Sequence, residues 1–344
     1  MHQSLLNQFR GAYLGAVLGD VLASGRSSLD QETALPLGAI ALSHTQALIG
    51  QDPDFGAVSR WIGQSLASDT LIQLTFGVSG AIFFHDDLLE LQRYLAAQRP
   101  QWCPKLAAES MEIVRAVEEG VLILAIVMSG ILQQCFQPLT AIATVRQMLE
   151  TLGRSPELMD SYLSCLEAML AERQPLAIAT IMVHQLESPE PSAVPALKTV
   201  AQTVAIALYA ALSSLEHPSL ALQRIQMLQS ADHQSPPIFK DFRRFAGLMT
   251  GMIVGAYNGL EGIPLAWRYS LTPAAHHSHQ GVPPDYLGTY WNVVSEVDVL
   301  QWVDQLFARW AGADQCSYFF TSMPTLAIAS PPTYGRLRHP PKQA

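Results

Sequence analysis

The sequence predicts an all-α protein built as a single large multi-helix domain, and three observations predict it. Apolar residues recur at three-to-four spacing along most of the chain, no stretch alternates long enough to make a strand, and no segment has the composition of an interdomain linker. With 344 residues, 49% of them hydrophobic and 14% charged, the chain can bury a large core.

The elements follow in chain order. "FRGAYLGAVLGD" at the N-terminus is a helix of good formers interrupted by Gly11, Gly15 and Gly19. "DDLLELQRYLAAQ" starts at Asp86 or Asp87, either of which can cap it. "AAESMEIVRAVEEGVLILAIVMSGIL" keeps helical spacing into a strongly apolar half, and "LTAIATVRQMLETLG" is stopped by Gly153. Ser155, Pro156 and Glu157 supply an N-cap, a first-turn proline and a first-turn acid. Leu158, Tyr162, Leu166 and Met169 then mark one face of that helix up to about Arg173. "VPALKTVAQTVAIALYAALSSLEH" follows, and "GLMTGMIVGAYNG" repeats the early glycine spacing at Gly247, Gly251, Gly255 and Gly259. Breaks are expected at "QRPQWCPK", "ESPEPSAVP" and "QSPPIFKD". The helical domain spans 1–312; residues 313–344 are proline-rich with a basic end and read as an extended tail.

Composition excludes several functions. Lys plus Arg is 20 against 29 Asp plus Glu, a net charge of -9, and no basic run is interleaved with aromatics, so nucleic acid is not an expected partner. Cys103, Cys135, Cys165 and Cys316 form no CxxC pair, which argues against a zinc cluster or a disulfide framework and fits a cytoplasmic setting. The opening residues show no export signal. The apolar runs from Val121 and from Leu248 fall short of the roughly 20 residues a membrane span needs.

Glycine in a helix interior costs roughly 0.5–1 kcal/mol relative to alanine. Glycines four apart line one helix edge and let a neighbouring backbone approach. Spacing alone makes the two ridges a packing feature.

Their flanking residues add a resemblance. "FRGAYLGAVLGDVLASG" resembles the opening helix of the ADP-ribosylglycohydrolase family, close to "RGALLGxAxGDAxG", and "GMIVGAYNGLEGIPLAWR" resembles that family's late segment "GALAGAYYGLEAIPERWR". The two segments bracket about 260 residues in the expected order. The resemblance implies an all-α fold in which these helices pack centrally around two magnesium ions. It also implies hydrolysis of the bond joining ADP-ribose to a protein side chain or small molecule. In the family the ions are held by an early "TDDT" and a late "DTDT", hard oxygen ligands that suit magnesium.

The metal-binding words are missing. Counting back from Gly255 puts the late motif on Phe242, Arg243, Arg244 and Phe245, none of which is a magnesium ligand, with Asp241 one position away. Anchoring the early motif on "ALIGQDPDFGAVSRW" puts it on Leu35, Pro36, Leu37 and Gly38. A shifted alignment offers Asp30, Glu32 and Thr33 instead. The family's "NGAAMR" aligns with "TLIQLT", so Thr70 and Thr75 stand for its asparagine and arginine; a later histidine-proline motif is lost near Trp102 and Cys103.

Asp20 is the family acid that remains, and a lone buried carboxylate on a packed helix is expected to accept hydrogen bonds. His276, His277 and His279 in "HHSH" follow Pro273 in a predicted loop and define no metal geometry. His85 to Asp87 reads as helix capping, and Ser68 to Thr70 holds one carboxylate only. The expectation is thus a protein of this family type that has lost its metals, has no cofactor, and binds or scaffolds a protein partner. Two alternatives stay open: an active magnesium-dependent hydrolase using Asp20, Asp30 and Glu32, and a metal-free ADP-ribose- or nucleotide-binding module in which Arg243 and Arg244 neutralise phosphate.

Overall fold

A computed structural model of the chain describes residues 3–24, 35–51, 59–104, 111–154, 157–186, 195–229, 237–271 and 286–313. Thirteen α-helices and no strand occur among the described residues, so the all-α expectation holds. In chain order they are α1 (Leu5–Ser24), α2 (Leu37–Leu48), α3 (Leu66–Phe83), α4 (Leu88–Trp102), α5 (Met111–Leu132), α6 (Ala141–Thr151), α7 (Glu157–Ala171), α8 (Leu176–Gln185), α9 (Pro195–Leu212), α10 (Pro218–Gln229), α11 (Pro237–Asn258), α12 (Leu265–Ser270) and α13 (Glu296–Trp310).

At the centre lie α1 and α11. Helix α1 has no polar stripe, and burial on every side follows, from Phe9 through Ala16 and Leu18 to Asp20. Its glycine ridge meets that of α11 in the pairs Gly11–Gly255, Gly15–Gly251 and Gly19–Gly247. The first member rises as the second falls, so the helices run antiparallel. A Cβ on Gly15 would overlap the Gly251 carbonyl, and one on Gly251 would overlap that of Gly15. The glycines therefore set how closely the two backbones meet.

Around this pair, α9 packs on α11 with Thr250 Oγ1 donating to the Ala207 carbonyl at 3.1 Å. Helix α13 closes on α1 through Arg10, whose Nε and Nη2 donate to Asp304 at 2.8 and 2.7 Å. Helix α3 is long and apolar enough to cross a membrane, but 83% of its apolar window is buried inside the fold.

Local signals place the ends. Asp87 is the N-cap of α4, accepting from Glu90 N at 2.9 Å, so the capping reading of the His85 to Asp87 segment holds for Asp87. Gly153, at φ 71°, follows α6 as expected. Tyr162, Leu166 and Met169 form the buried face of α7. The break expected at "QRPQWCPK" falls inside that segment: α4 runs through Pro100 to Trp102 and Cys103 is its C-cap. Proline in a last turn costs one backbone bond and leaves the turns before it intact. All of the expected tail but Ala313 lies outside the described residues, as do Ser155 and Pro156.

Candidate functional site

The same antiparallel register, carried just past Gly19 and Gly247, brings Asp20 of α1 opposite Arg244 of α11. Arg244 is fully buried, and each of its five N–H bonds has an oxygen to meet. Nε donates to Asp20 Oδ1 at 2.8 Å and Nη2 to Asp20 Oδ2 at 3.1 Å. Nη1 donates to the Leu35 carbonyl at 2.7 Å and to Asp241 Oδ1 at 3.2 Å. The remaining bond of Nη2 faces the Tyr286 hydroxyl at 3.4 Å. The guanidinium carbon sits 4.7 Å from the centre of the Tyr290 ring, a cation–π contact.

A second layer fixes the acids. Trp291 Nε1 donates to Asp20 Oδ2 at 3.0 Å, and the Leu35 N–H donates to Asp241 Oδ2 at 3.3 Å. Leu35 is thus held at both backbone groups, its N–H by Asp241 and its carbonyl by Arg244. A π-helical turn, Leu287–Trp291, carries the aromatic residues, and Asn292 ends it in the left-handed region at φ 53°. Gly38 on α2 is required beside it, since a Cβ there would run into the Trp291 indole.

Two carboxylates share one guanidinium inside the core. Desolvation pushes Asp241 up to about 6, with Arg244 and the Leu35 N–H opposing. Burial works against the charge on Arg244, but Asp20, Tyr286 and Asp241 outweigh it and raise its pKa further. Burial also holds the Tyr286 hydroxyl well above the ordinary range, so it stays protonated.

The residues present do not fit a magnesium ion. The position that the resemblance gives to a metal-binding acid holds Arg244, whose charge lies among the very oxygens a divalent cation would need. Among the described residues no group of three or more His, Cys, Asp or Glu side chains is placed to hold a metal. Each oxygen of Asp20 and of Asp241 already accepts a hydrogen bond.

Other sequence candidates fall elsewhere. Arg243 is half-buried and makes no hydrogen bond or ion pair among the described residues. Phe242 and Phe245 are core residues. Thr70 is buried with no partner for its hydroxyl among the described residues, and Thr75 donates to the Leu71 carbonyl at 2.7 Å. Cys103 is buried beside Gln73, 3.5 Å away, and burial holds its thiol well above the usual range. Asp30, Glu32, Thr33 and the three histidines of "HHSH" lie outside the described residues. Sequence reasoning missed Tyr286, Tyr290 and Trp291; a buried tryptophan N–H requires an acceptor, so "DYLGTYWN" carried a usable signal.

Comparison with known proteins found no family model that matches the chain, and the search of curated proteins found no match.

Proposed function

We propose that the chain is an ADP-ribosylglycohydrolase-like protein without the binuclear magnesium site, which acts by binding or scaffolding a protein partner rather than by hydrolysis. One observation carries this reading: Arg244, at the place of a late-motif acid, is sealed into an ion cluster with Asp20 and Asp241. Hydrolysis of the family type needs carboxylates that converge on cations, which then activate water. Here the acids converge on a side chain. The antiparallel meeting of the two glycine ridges supports the resemblance, since it is the packing the resemblance implies.

Phosphate neutralisation by Arg244 is disfavoured, because a phosphate would have to displace Asp20 or Asp241 inside the core. In the nucleotide-binding alternative the half-buried Arg243 is the arginine left to meet a phosphate. Incubation with ADP-ribosylated arginine and serine peptides across magnesium concentrations should give no turnover above a no-enzyme blank. Turnover abolished by Asp20→Asn would sink the proposal. Calorimetry with ADP-ribose, with and without EDTA, separates the nucleotide-binding module from a protein scaffold.

A further inference from the structure

We propose that the end of the bundle where α3 and α4 meet the 59–64 turn binds a small monocarboxylate, held by N–H groups of Gln73, Arg99 and Trp61. Gln73 Nε2, Arg99 Nε and Trp61 Nε1 are buried donors with no hydrogen-bond partner among the described residues. Each such atom costs about 1–3 kcal/mol when it stays unmatched, and native interiors leave few of them. Three at one end of a bundle, all of them donors, form the complement of an acceptor.

Local contacts bring them together. Gln73 lies on the second turn of α3 and is 1% exposed. Cys103, the C-cap of α4, donates its thiol hydrogen to Gln73 Oε1 at 3.5 Å, which leaves the N–H side of the amide unused. Burial keeps that thiol protonated. Arg99 stands one turn earlier, and its carbonyl accepts the Cys103 N–H at 2.8 Å. The 59–64 turn is tied to both helices: Gly63 N donates to Asp69 Oδ1 at 2.8 Å, and a Cβ on Gly63 would come within 3.2 Å of Pro104. Trp61 belongs to that turn, with the Arg60 guanidinium carbon 5.2 Å from the centre of its ring. None of these residues belongs to the Arg244 cluster.

The charges select the acceptor. Glu118 is shared by two arginines, Arg99 and Arg154, each through Nη2, so this trio carries one uncompensated positive charge. Burial lowers the pKa of Arg99, with Cys103 opposing and Arg154 adding to the effect. An anion at Nε would offset this. Asp69, buried at the start of α3, sets the limit, because its negative charge beside Cys103 works against a dianion such as phosphate. A monocarboxylate brings two acceptor oxygens with a single charge, and Arg99 Nε gives it a charge-assisted hydrogen bond. Arg99 keeps 15% of its side chain exposed, so the site lies just beneath the surface and a ligand reaches it without opening the core. The site stands independently of the scaffold reading, since it involves no residue on which that reading rests.

The test labels the full chain with ¹⁵N at its tryptophan indoles and titrates it with acetate, benzoate and phosphate. Of the six indole signals, the one that disappears in Trp61→Phe marks the site. Acetate or benzoate should move that signal saturably, and phosphate at equal ionic strength should not. Gln73→Met and Arg99→Lys should each weaken carboxylate binding about tenfold or more, since each removes one donor while the lysine keeps the charge opposite Glu118. If either variant fails to fold, Trp61→Phe, on a partly exposed turn, supplies the same comparison by calorimetry. No saturable movement with either carboxylate, the result expected if ordered water alone meets these donors, overturns the proposal. Phosphate binding as tightly as the carboxylates overturns it too, as does a folded variant that keeps the wild-type affinity.

Discussion

Arg244 and Arg10 each reach a carboxylate with two N–H bonds, yet their surroundings give the pairs different weights. Arg10 and Asp304 keep 23% and 29% of their side-chain surface, where water screens the attraction and the pair contributes about 0–1 kcal/mol. Arg244 and Asp20 keep 1% and 0%, so losing either partner strands a charge in the core at a cost of about 3–5 kcal/mol. Urea unfolding should therefore show Asp20→Ala strongly destabilised and Asp304→Ala nearly unchanged; equal losses would contradict this ranking. The sequence showed that arginine stands where an acid was expected and that Asp20 would be a buried acceptor. It did not show that the two are partners, because they are 224 residues apart and only the packed helices bring them together.

Among the elements, α1 and α11 depend on what their glycines lack. An alanine or leucine at Gly15 meets the Gly251 backbone, which cannot rotate aside as a side chain would. Overpacking of this kind costs about 1–3 kcal/mol or more. Gly15→Leu and Gly251→Leu should each lower the melting temperature clearly. Unchanged midpoints in both would mean the helices do not meet through these edges. This contact was legible in advance, since two ridges at four-residue spacing in otherwise good helices leave close packing as their physical use. The π-helical turn was not, because its aromatic residues obey no helical period and their partners lie on α1 and α11.

Across the whole molecule, the pH dependence of stability combines buried groups that titrate in opposite senses. His44 lies stacked on Phe76 at 4.6 Å, and burial lowers its pKa to about 3, with the Phe76 backbone opposing. The unfolded chain therefore takes up the His44 proton first, and stability is lost as pH falls from about 6.5 toward 3. Asp241 behaves inversely. Its folded pKa of about 6 exceeds the unfolded value, so its contribution is complete below about pH 4 and is lost as pH rises through about 6. Urea midpoints measured from pH 4 to 7 should rise more weakly with pH in His44→Leu than in the wild type. They should rise more steeply in Asp241→Asn. The opposite changes would show that these two groups do not set the slope. All-α architecture was readable from periodicity over the whole chain, whereas these environments depend on which helices become neighbours.

The pairing of α1 with α11 also sets the order in which the chain can mature. During synthesis α1, apolar on nearly all sides, emerges well before the backbone it fits, because Leu5–Ser24 precedes Pro237–Asn258 in the chain. At roughly 5–20 residues per second, more than ten seconds pass before α11 is available. Until then the glycine edge of α1 lacks the backbone it packs against. Docking of the glycine edges and capture of Arg244 by Asp20 both wait for α11, so neither can form before that point in synthesis. Ribosome-bound chains halted before residue 237 should accordingly be protease-sensitive throughout α1, while released full-length chains should protect it.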